Sequence, residues 1–135
     1  MENRYLFRGK RKDNGEWIKG YLYGIWERRY ILWGMTNDIP NMVEVEPSTI
    51  CKCTGGKDKN SKLIYENDIA KDDKGNLYKA FWQDNHYQFS WMCVKSEKLP
   101  ISAKWNFDCF RGYEMEVIGN VFDNPELLEG GKEPV

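Results

Sequence analysis

Asp13-Asn14-Gly15 stands between two runs, residues 4–12 and 16–24, in which apolar and polar side chains are interleaved. Asn and Gly both tolerate positive φ, and an Asn-Gly step between such runs is the strongest local signal for a β-hairpin. The hairpin commits the N-terminal part to antiparallel pairing, and composition carries the argument further along the chain. Three alanines and eight leucines stand against twenty aromatic residues and fifteen Ile plus Val, a balance that favours strands. The sequence predicts a mainly β protein. With 41% hydrophobic residues in 135, the chain can bury a core, which excludes wholesale disorder and collagen-like chains.

Residues 28–33 read as a third short strand, followed by a turn-rich stretch in which Pro40 and Pro47 limit any ladder. Residues 55–62 hold no apolar side chain and read as an exposed loop. A three-stranded meander is predicted over 63–94: strand 63–71, a turn at 72–76, strand 77–83, a turn at 84–86 and strand 87–94. In the last strand Tyr87, Phe89, Trp91 and Cys93 alternate with Gln88, Ser90, Met92 and Val94, so one face should be core. Residues 95–110 fit neither strand nor helix period and read as a loop with a helical turn. Strand 113–122 follows, with Gly119 marking a bulge or close packing. Asn124-Pro125-Glu126 then supplies a cap, a first-turn proline and an acid, predicting a short helical turn ended by Gly130.

Charge and reactive groups narrow the chemistry. The net charge is −1, yet residues 1–34 carry +4 and residues 108–135 carry −5. Neither an apolar run long enough to span a bilayer nor a signal-like h-region is present, so no membrane association and a cytoplasmic location are expected. Cys51, Cys53, Cys93 and Cys109 are then reduced thiols rather than disulfides. Their one C-x-C and two singletons lack zinc-site spacing, and His86 is the sole histidine. Gly55-Gly56-Lys57-Asp58 lacks the phosphate-loop pattern. The reading is a protein that is not an enzyme, with no catalytic residue, metal or cofactor.

Residues 54–69, Thr-Gly-Gly-Lys-Asp-Lys-Asn-Ser-Lys-Leu-Ile-Tyr-Glu-Asn-Asp-Ile, and 116–128, Glu-Val-Ile-Gly-Asn-Val-Phe-Asp-Asn-Pro-Glu-Leu-Leu, resemble the YopX-like family of phage and prophage proteins. Phe7-Arg8-Gly9 matches that family's short opening motif. Gly56 departs from the family's leucine, Ser61 and Leu63 from its Gly and Glu, and Asn67 from its glycine before Asp68. The resemblance implies a small SH3-like β-barrel or roll with an N-terminal β-hairpin part and a short C-terminal helical turn. On this reading residues 1–50 form the hairpin region and 51–135 the barrel region, or one domain runs through 1–130. Ile64, Tyr65, Asp68, Ile69, Gly119, Asn120 and Pro125 form its structural signature. Asp68 follows a tight turn and is read as a backbone-bonding corner.

The family resemblance carries no established biochemical role, so function rests on surface chemistry. The leading expectation is a phage or prophage accessory protein that acts as a protein-interaction module on an unknown partner or on a second copy of itself. Its candidate surface comprises Trp26, Arg28, Arg29, Lys57, Lys59 and Lys62. The alternative is a weak nucleic-acid binder, in which the basic residues among Tyr5, Phe7, Trp17, Trp26 and Tyr30 track phosphates while the rings stack on bases.

Overall fold

The structure, a computed structural model, describes residues 5–106 and 114–129. The chain divides into two compact units, 1–55 and 56–135. The first contains β1 (Phe7–Lys10), β2 (Trp17–Ile25), β3 (Arg28–Thr36), β4 (Ile39–Val45) and most of β5 (Cys51–Lys57). These strands lie in the order β4-β3-β2-β1-β5, and the predicted hairpin is β1–β2, with Lys10 opposite Trp17. Gly15 takes the expected positive φ, +75°, whereas Asn14 does not and serves the turn through its side chain, which accepts the Glu16 N–H at 2.9 Å.

The stretch after Trp33 differs from the expected turns. β3 runs on to Thr36 and returns through Asn37 and Asp38, at φ 52° and 66°, into β4. Two successive positive φ angles make the tight twisted hairpin that the right-handed strand twist favours. Pro40 is tolerated because β4 ends the strand order, where a missing N–H breaks no second ladder. Farther on, a bridge between Arg11 and Val45 rolls β4 back onto the end of β1. Gly9 permits this: a Cβ there would sit 3.1–3.3 Å from three Val45 side-chain carbons. The glycine of the Phe7-Arg8-Gly9 motif thus marks a close approach between strands. Gly20 plays the same part beneath β3, where an added Cβ would strike the Leu32 carbonyl.

The second unit begins with the end of β5 and contains β6 (Leu63–Tyr65), β7 (Asp68–Lys71), β8 (Leu77–Gln83), β9 (Gln88–Lys95), β10 (Lys104–Asn106), β11 (Glu116–Asn120) and α1 (Glu126–Glu129). Its sheet is antiparallel in the order β10-β9-β8-β7-β11. The meander is present, but its first strand is broken into β6 and β7 by Asn67, whose φ of 72° turns the chain. Tyr87 is a left-handed, exposed turn residue instead of the first residue of β9.

Ser90 and Val94 are buried along with Trp91 and Cys93, so β9 is covered on both faces, not one. Ile64, Ala70, Tyr78, Ala80, Trp91, Cys93, Met115 and Val117 form the core on one side. On the other, Ile69, Leu77 and Val94 are packed against Val121, Leu127 and Leu128, which the C-terminal turn brings over the sheet. β10 falls in the segment 95–110, which the sequence pattern makes a loop. It is a three-residue edge strand paired with β9, too short for periodicity to reveal. Phe107 to Tyr113, including Cys109, and residues 130–135 lie outside the described residues.

The fold is mainly β, with two antiparallel sheets and one helical turn. Neither strand order closes on itself, so a closed barrel is not formed among the described residues.

Candidate interaction face

Strand register sorts the side chains of β2, β3 and β4 onto two faces. Leu22, Ile31 and Val43 are mutual partners across the three strands, as are Gly24, Arg29 and Val45. Ile31 and Val45 are wholly buried, so this face is the inner one. The opposite face holds Tyr21, Leu32 and Met42 in one row, Tyr23, Tyr30 and Glu44 in the next, and Ile25 with Arg28 at the end. This outer face is exposed: Tyr21 at 39%, Tyr23 at 47%, Ile25 at 40% and Met42 at 50%. Tyr23 and Tyr30 lie with ring centroids 6.2 Å apart and planes tilted by 46°. The β3 ladder slips one residue at Trp33, a bulge that leaves this ring 45% exposed beside the face.

Trp26 caps the β2–β3 turn at φ 53° and is 87% exposed, the largest bare apolar side chain of the unit's described residues. Arg28 and Arg29 follow it but diverge. The Arg28 guanidinium is held by the Tyr30 hydroxyl and the nearby Glu44 carboxylate, which together raise it above its ordinary range. Arg29 turns back over Gly24, where any Cβ would meet its side chain, and donates to the carbonyls of Trp26 at 2.6 Å and Arg28 at 2.9 Å. Arg29 therefore fastens the hairpin, while Trp26 and Arg28 belong to the displayed surface.

Lys57, Lys59 and Lys62 lie in the second unit around the β5–β6 turn, all exposed. Lys59 faces Glu116 at 3.8 Å, an exposed pair of small energetic weight. The residue that matters in this turn is Asp58, which sequence reading placed in an exposed loop and which is 3% exposed. Its Oδ1 accepts the N–H groups of Asn60 at 2.8 Å and Lys62 at 2.9 Å, and its Oδ2 accepts that of Val117 at 2.9 Å. Burial pushes the carboxyl up, but these three donors outweigh it and hold the group below its ordinary range. An Asp two residues before an Asn in a polar turn was the available signal, since Asp side chains bond the backbone two residues on.

The signature residues are structural. Ile64 and Ile69 are wholly buried, and Tyr65 and Asp68 are 1% exposed. The Asp68 carboxylate accepts the Tyr65 N–H at 2.7 Å, the corner expected of it. β11 slips register between Val117 and Gly119. A Cβ on Gly119 would collide with the Asn124 carboxamide, which accepts the Asn120 N–H. Asn120 in turn accepts the N–H groups of Phe122 and Asp123, both at 2.9 Å. Pro125 enters the final turn, where its missing N–H is no loss and its carbonyl accepts from Leu128.

Reactive chemistry is sparse among the described residues. Cys51, Cys53 and Cys93 are free and buried, and burial raises the Cys93 thiol. No group of three or more His, Cys, Asp or Glu side chains stands together as a metal site among them. A cleft of about 1300 Å³ opens beside Asp72, Asn76, Tyr78 and Ser96. These four side chains bond one another: Asp72 accepts from Asn76 Nδ2 at 3.0 Å and Tyr78 Oη at 2.9 Å, and Ser96 donates to Asn76 at 2.7 Å. These bonds lower the Asp72 carboxyl despite its burial, while burial and Asp72 raise the Tyr78 hydroxyl. No helix among the described residues is long and apolar enough to cross a membrane.

The chain resembles the crystal structure of protein EF1440 from Enterococcus faecalis, with a TM-score of 0.52 and 21% identity over 90% of this chain and 96% of that one. At that identity the likeness concerns fold alone. No curated protein matches the chain. The model of the YopX protein family matches residues 6–129, from before β1 to the end of α1, and takes in all three motifs read from the sequence. The chain belongs to the YopX protein family.

Proposed function

We propose that this protein is a non-enzymatic interaction module of a phage or prophage, built as an SH3-like roll with added elements, and that it works in the cytoplasm of the host bacterium. The observation that carries the proposal is the outer face of β2–β3–β4, where aromatic and aliphatic side chains stay exposed on an ordered ladder. Contiguous exposed apolar surface of this kind characterises protein-binding sites. The buried thiols and the self-bonded polar groups of the cleft agree with a role without covalent or acid–base chemistry.

The basic residues of the first hairpin favour a protein over a nucleic acid as partner. Arg11 is paired with Asp13 at 2.8 Å and Lys12 with Glu44 at 3.1 Å. Arg8 and Lys10 lie over the Trp17 ring at 4.7 and 5.3 Å, and Arg29 is spent on carbonyls. With these five engaged, Lys19 and Arg28 are the other exposed cations of the set, too few for a row that tracks phosphates. The test is capture from bacterial lysate by the tagged full chain, with and without nuclease and at two salt concentrations. A protein retained through nuclease and salt, and lost on Tyr23→Glu with Met42→Glu, supports the reading. Recovery only of salt-sensitive nucleic acid refutes it.

A further inference from the structure

We infer that the occupant of the β2–β3–β4 outer face is a second copy of this chain, packed sheet against sheet. The inference rests on the reading of that face as a protein-binding surface and names its partner. Three observations carry it.

The first is area. Tyr21, Tyr23, Ile25, Trp26 and Met42 are exposed at 39%, 47%, 40%, 87% and 50%. At about 200 Å² for a bare side chain of this size, the four that register places on the face present roughly 350 Å² of apolar surface, and Trp26, at the turn that ends β2, adds about 170 Å². A stable interface covers about 800 Å² on each partner, of which a little over half is apolar. The face and the turn at its end therefore supply together the apolar part of one standard interface.

The second is charge. Register places one cation, Arg28, and one anion, Glu44, among the exposed apolar rows, and Glu44 is also paired with Lys12. With Lys12 counted beside Glu44 the face carries two cations to one anion, a surplus of a single charge that opposes the meeting of two copies only weakly. The whole chain, at −1, adds little repulsion either.

The third is shape. An isologous contact needs a patch that can meet itself, and an antiparallel three-stranded ladder with side chains standing in rows packs face to face on another such ladder at about −30°. The displayed rows, Tyr21–Leu32–Met42 and Tyr23–Tyr30–Glu44, run across the strands as such packing requires.

The experiment is sedimentation equilibrium of the full chain from about 1 to about 100 μM, the span of moderate to weak dimer constants. It is done on the native sequence and on the Tyr23→Glu, Met42→Glu double variant. Both side chains are substantially exposed, and an unchanged urea midpoint verifies that the variant folds. The expected result is a native dimer and a dimer constant weakened at least tenfold in the variant. A native chain that stays monomeric to 100 μM overturns the inference, and so does a dimer that the substitutions leave intact. The lysate capture separates the two proposals. If the native chain is monomeric yet the variant loses a captured bacterial protein, the face binds another protein and only the second-copy assignment falls. If only nucleic acid depends on the face, or nothing does, the interaction-module reading falls with it.

Discussion

Asp58→Ala removes a single carboxylate that joins the 58–62 turn to β11 across 59 positions of sequence. The donors at Asn60 and Lys62 belong to exposed residues, so water takes over there and each lost bond costs about 0.5–1.5 kcal/mol. The Val117 N–H is in a buried bond, and without an acceptor it costs about 1–3 kcal/mol. The expected loss is about 4 kcal/mol, large against the roughly 5–15 kcal/mol of a typical domain. Urea unfolding followed by tryptophan fluorescence at pH 7 reads it directly. With a slope of about 2 kcal/mol/M, the midpoint should fall by about 2 M while the slope holds.

Asp58→Asn should lie between, because one oxygen still serves the turn while the amide NH₂ faces Val117. Acid supplies an independent arm. The folded carboxyl is lowered from 3.8, so its contribution is complete above that value and disappears as pH falls through the folded pKa. The alanine variant should lose less stability than the native chain over that acid window, with Asp72 keeping its own share of the loss. A midpoint shift below about 0.3 M, or an unchanged acid dependence, would refute the assignment of Asp58 as the fastening group.

Other outcomes follow from close approaches and hydrogen bonds. Gly20→Ala drives a methyl into the Leu32 carbonyl and should cost about 1–3 kcal/mol, read as a lower Tm; Gly119→Ala should do likewise against Asn124. Tyr78→Phe should cost about 1 kcal/mol in urea unfolding, through the bond to Asp72. Native-state alkylation resolved by peptide mapping should leave Cys51, Cys53 and Cys93 unmodified until denaturant is added, and rapid labelling of any of the three would contradict their burial.

Turn chemistry made much of the fold legible. Gly15, the 72–76 turn and Asn124-Pro125 each name a local geometry, and each geometry is present, while Asn14 marks its turn by a side-chain bond instead of a positive φ. What stayed hidden depended on partners remote in sequence. Alternation alone gave β9 one core face, because nothing local says that Leu127 and Leu128 return to cover the other. Pro40 read as a breaker because a sequence does not say which strand lies at an edge. Asp58 looked solvated among lysines because its third donor comes from Val117. The interaction face was legible only in part. Trp26 and Arg28 could be chosen on exposure and charge, but separating Tyr21, Tyr23 and Met42 from the core required the register of three strands, and a one-residue slip would reverse every assignment.

The C-terminal turn also sets an order of events during synthesis. β1 to β4 are joined by successive hairpins, so their contacts are available as soon as the first 45 residues have emerged. The second sheet has no such freedom. Ile69, Leu77 and Val94 stay uncovered until Leu127 and Leu128 leave the ribosome, long after the strands beneath them. A nascent chain of this protein therefore carries one unit able to fold early and another that exposes an apolar sheet face until residues 127 and 128 have emerged, and that interval is where chaperone contact or misassembly has its opening.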